Sequence, residues 1–141
     1  MKTTYGGTSK LIFTLLPLLL SSACGYFDTD GLKSQKQVIG NIYLQEYRNS
    51  DEIYLVHDGG DGMYSIEADC HSVYYDSIEN RIYVESLINE WNTSYYSFIL
   101  KNPASRKVWE ALEKHEVVEA TFKKRITSRS CFQIELTLDE L

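Results

Sequence analysis

From Val38 to Leu100 apolar and polar residues alternate with a period of two. Ile42-Tyr43-Leu44-Gln45 and Ile53-Tyr54-Leu55-Val56 flank Asn49-Ser50-Asp51-Glu52, which has the chemistry of a hairpin turn. Asp58-Gly59-Gly60-Asp61-Gly62 is the strongest turn signal in the chain. Beyond it Tyr64, Ile66, Ala68 and Cys70 share one face, the pattern of a half-buried strand. Val73-Tyr74-Tyr75 and Ile82-Tyr83-Val84-Glu85 predict another hairpin, and Tyr95 to Leu100 one more strand.

The period changes at Asn102-Pro103. Asn102 is a good N-cap and Pro103 suits a first helical position, where its missing donor costs nothing. Val108, Trp109 and Leu112 then fall on one face, which predicts a helix over about 103–115 docked through those three residues. His115 would complement the dipole at its C-terminus. Val118, Ala120, Phe122 and Ile126 alternate again, as do Phe132, Ile134, Leu136 and Leu138 after the turn Ser128-Arg129-Ser130. They predict a C-terminal β-hairpin, with Lys123-Lys124-Arg125 on a solvated strand edge. The expected class is α+β: an antiparallel β meander of seven or eight strands, one helix and the terminal hairpin.

The N-terminus follows another logic. Lys2 and Lys10 precede the apolar run Leu11 to Leu20, and ten residues rise about 15 Å on a helix, half a bilayer core. Such a run is a signal peptide rather than a membrane span. Ser21-Ser22-Ala23 leads into Cys24, and Leu20-Ser21-Ser22-Ala23-Cys24 resembles the lipobox of bacterial lipoproteins. The resemblance implies removal of residues 1–23, lipidation of Cys24, and a lipid-anchored place in the bacterial cell envelope, the outer membrane favoured. Ser21-x-Ala23 also satisfies the small-x-small rule of ordinary cleavage, which leaves a secreted protein as the alternative. Residues 24–37 are polar and without periodicity, and read as a tether with a span of about 20 Å. One domain follows, over 38–141.

Charge and cysteine count narrow the function. The chain has 14 basic and 20 acidic residues, a net charge of −6, and removing Lys2 and Lys10 makes the remainder more acidic. No nucleic-acid partner is expected, because phosphate neutralisation needs clustered Lys and Arg. Three cysteines are an odd number for an oxidising compartment. If Cys24 carries the lipid, Cys70 and Cys131 remain as a disulfide pair, with a reactive Cys70 beside His71 as the alternative. Neither a metal nor a cofactor is expected: no C-x-x-C or H-x-x-x-H spacing occurs, and Asp28-Thr29-Asp30-Gly31 lacks the later ligands of a calcium loop.

Tyrosine is the remaining signal. Nine of the eleven lie between Tyr43 and Tyr96, several on opposite faces of one strand. Exposed tyrosines suit recognition surfaces, which marks Tyr74, Tyr83 and Tyr95 as candidate partner-binding residues. The opposite reading covers both faces and places the rings in the core. The expected function is therefore a non-enzymatic binding or interaction domain for a protein or glycan. Two alternatives stand beside it: a hydrolase using Asp69, Asp76, Glu85 or Glu90, or a structural accessory subunit of a membrane complex.

Overall fold

The structure, a computed structural model, describes residues 31–136. The expected signal peptide, Cys24 and the first half of the expected tether, 24–30, lie outside them. Nine strands and two short helices follow in order: β1 (Leu32–Ile39), β2 (Ile42–Tyr47), β3 (Ile53–Asp58), β4 (Met63–Glu67), β5 (Cys70–Asp76), β6 (Arg81–Asn89), β7 (Asn92–Leu100), α1 (Val108–Ala111), β8 (Leu112–Val117), α2 (Glu119–Arg125) and β9 (Cys131–Ile134). The protein is mainly antiparallel β. One sheet has the order β1-β2-β3-β4, and the other β8-β7-β6-β5-β9.

Alternation explains the core. Register pairs Leu44 with Leu55 in the first sheet, and Val73 with Val84 and Ile82 with Phe98 in the second. Side chains two apart share a face, so these residues project to one side of each sheet. Together with Ile42, Leu100, Leu112 and Ile134 they form one buried cluster shared by both sheets. The predicted strand through Cys70 is broken at Asp69, whose φ of 50° turns the chain from β4 in one sheet to β5 in the other.

Four expectations are corrected. Residues 32–37 are not tether but part of β1, closed onto β2 by Gly40-Asn41, with Ile39 opposite Ile42. The helix over 103–115 shrinks to the four residues of α1, and the chain from Leu112 becomes an edge strand paired with β7. Ladder hydrogen bonds along Tyr95–Leu100 outweigh a modest helical preference. Trp109 is consequently not docked but 67% exposed, and His115 lies on β8 beside Glu113 rather than at a helix end.

The fourth correction is the C-terminal hairpin. Residues 119–125 are helical, and β9 pairs with β5 instead. Val118, Phe122 and Ile126 are spaced by four, so the same residues that alternate also mark one helix face. A Glu119–Lys123 ion pair at 3.0 Å spans one turn of α2, and Lys123, Lys124 and Arg125 occupy its last turn. The helix carries the chain from one edge of the second sheet, β8, to the other, β9.

Candidate functional site

The three candidate tyrosines do meet, but around the protein's own helix. Phe122 of α2 stands 5.9 Å from the Tyr74 ring, 6.5 Å from Tyr83 and 4.8 Å from Tyr95, centroid to centroid. Tyr74, Tyr83 and Tyr95 lie on neighbouring strands β5, β6 and β7 and share the face turned away from the main core. Tyr83 is 2% exposed, and the Tyr95 hydroxyl donates to Glu119 at 2.9 Å. Phe122 therefore packs over part of this face, while Tyr74 and Tyr95 stay half-buried beside the helix.

Cys70 and Cys131 are free thiols. Cys131 is opposite Asp76, six residues along β5 from Cys70, so their Cα atoms are about 20 Å apart at strand rise. A disulfide tolerates about 7 Å, and the predicted bond does not form. Cys70 itself is buried. Burial pushes its thiol up to about 12, so it stays protonated at neutral pH, near the Glu67 carbonyl at 3.6 Å. Burial raises Cys131 likewise, to about 11. A cavity of about 260 Å³ beside Cys70 and His71 reaches Leu136, where the described residues end.

The carboxylates weighed for hydrolysis are dispersed. Asp76 is buried and accepts the backbone N–H groups of Ile78 and Glu79, both at 3.0 Å, at the β5–β6 turn. It is opposite Arg81, four residues from Glu85, or about 13 Å along the strand, beyond the spacing of a glycosidase pair. Glu85 accepts from Ser72 at 2.9 Å, and Glu90 is exposed at the tip of the β6–β7 hairpin. Among the described residues no group of three His, Cys, Asp or Glu is placed to hold a metal.

Another cavity, a groove of about 390 Å³, lies between the Asp58–Gly62 turn and residues 106–109. Its walls are Tyr64, 38% exposed, and Trp109. Its rim carries Asp61, Lys107 and an Arg106–Asp58 ion pair at 3.0 Å.

The wall at 103–107 is held by side chains of the first sheet. Asn41 donates from its backbone to the Pro103 carbonyl at 2.8 Å, and from Nδ2 to the Ala104 carbonyl at 2.7 Å. Buried His57 donates from Nε2 to the Ser105 carbonyl at 2.7 Å. Gly40 completes the seat: its φ is +56°, and a Cβ there would stand 2.4 Å from the Pro103 oxygen. Gly59 has the same role opposite, since a Cβ would press the Tyr64 ring at 2.8 Å.

None of the family models, curated proteins or solved structures compared with the chain matches it. The groove therefore stands on its own geometry. Sequence reasoning found the glycine turn but missed Tyr64, Arg106 and Trp109 as neighbours. Tyr64 and Trp109 are far apart in sequence, and the hydrogen bonds from Asn41 and His57 that hold the 103–107 wall carry no motif.

Proposed function

We propose that the chain is a lipid-anchored bacterial envelope protein whose β domain binds a ligand, without catalysis, in the groove between the glycine turn and Trp109. One observation carries the binding reading: two exposed aromatic side chains face a cavity whose walls are fixed by hydrogen bonds. Aromatic side chains supply large contact area with few torsions to freeze, and a preformed wall lowers the ordering cost of binding. The anchoring reading rests on the lipobox resemblance around Cys24.

Photo-crosslinking in the native envelope tests the groove. A benzophenone amino acid replaces Trp109 in one variant and Trp91 in another; Trp91 is 88% exposed on the β6–β7 hairpin and remote from the groove in sequence. A discrete adduct from position 109 and none from 91 is the expected result. Equal labelling at both positions, or none at 109, overturns the proposal.

A further inference from the structure

We infer that the groove takes a neutral saccharide, an inference that rests on the groove being the ligand site. Its chemistry is divided in the way a pyranose ring is divided. The lining is dominated by the Tyr64 and Trp109 rings and Val108, while charged side chains gather at the rim. A pyranose presents an apolar C–H face, suited to stacking on an indole, and a girdle of hydroxyls that both donate and accept. Arg106 donates and Asp61 accepts, so the rim supplies both roles.

Charge balance argues against an ionic ligand. Arg106 and Lys107 face Asp58, Asp61 and Glu110, and Arg106 is already paired with Asp58 and Lys107 with Glu110. An acidic ligand would meet carboxylates on the rim, and a cation would compete with Arg106 for Asp58.

Several main-chain groups beside the groove are already engaged. Peptide recognition by strand addition needs unpaired main-chain groups. The carbonyls of Pro103, Ala104 and Ser105 accept from Asn41 and His57. The N–H of Gly59 donates to the Gly62 carbonyl at 2.9 Å, that of Gly60 to Asp58 at 2.8 Å, and that of Lys107 to the Ser105 hydroxyl at 3.1 Å. The side chains of Arg106, Lys107 and Asp61 add rim groups of the kind that reads hydroxyls.

The test uses the full-length protein in detergent and immobilised neutral tetrasaccharides of glucose, mannose and N-acetylglucosamine, with a displayed random-peptide library in parallel. Binding to at least one saccharide is expected, weakened about tenfold or more by Trp109→Ala and by Tyr64→Phe less, with Trp91→Ala unchanged. Both tryptophans are exposed, so neither substitution threatens folding. Peptides that bind in a Trp109-dependent manner, with no saccharide bound, overturn the saccharide and keep the groove. Saccharide binding indifferent to Trp109→Ala, or no binding by either class, overturns both.

Discussion

Asp76 shows how one side chain here can set a pH limit. Burial works against its ionisation, yet hydrogen bonds from the Glu79 N–H, Ser130 and the Ile78 N–H, with the Arg125 charge nearby, hold its carboxyl below the ordinary 3.8. A folded-state value below the unfolded one adds stability that is present above about pH 4 and lost as pH falls through the folded value. Asp76→Asn should therefore be less stable than the parent at neutral pH, with the difference shrinking in acid. Urea midpoints at about pH 7 and about pH 2.5 measure it, and a pH-independent difference would show that the charge contributes nothing. Trp109 is the opposite kind of residue. Its ring is largely in solvent, so its truncation should change stability by less than about 1 kcal/mol while weakening the proposed ligand binding about tenfold or more.

At the scale of elements, α2 buries a single residue, Phe122. Removing that ring leaves Tyr74, Tyr83 and Tyr95 facing a void, and Phe122→Ala should cost about 3–5 kcal/mol in denaturant unfolding. A loss under about 1 kcal/mol would mean that the tyrosine face holds without its helix. This is also where the sequence was hardest to read. Strict alternation made the strands around Leu44, Leu55, Val73, Val84 and Phe98 legible, because one face of each meets the shared core. Strand β1 was hidden because Lys33, Gln35 and Gln37 leave it few apolar positions to alternate, and Gly40-Asn41 was its only turn signal. Between 103 and 126 helix and strand were exchanged. Four-residue spacing fits both periods, and the decision belongs to the partner strand Tyr95–Leu100, which local propensity does not contain. The groove was less legible still, since its two aromatic walls meet only through the seating of 103–107 on Asn41 and His57.

For the whole molecule, the proposed anchor at Cys24 and the first described residue, Gly31, are separated by a short polar stretch. Strand β1 therefore begins close to the anchor in sequence, and the expected tether is shorter than 24–37. Replacing Cys24 by Ser should release the domain from membranes or block its processing, because stable anchoring needs more than one acyl chain and diacylglycerol supplies two. Fractionation of cells carrying the variant checks this, and retention of a processed Cys24→Ser form in the membrane would refute the anchor.

The route of α2 also sets an order in time. Every pairing in the first sheet joins consecutive strands, and so does every pairing in the second except β5 with β9. That last ladder brings Val73 to Ile134 across more than half of the described chain, with β6, β7, β8 and α2 in between. Loop closure of this length comes late, after the local hairpins have formed. During synthesis the edge of β5 waits, unpaired, for β9, which emerges after the other described strands. Strand β9 is thus the latch of the domain: a chain cut before Cys131 keeps its hairpins and leaves a sticky edge open to its neighbours.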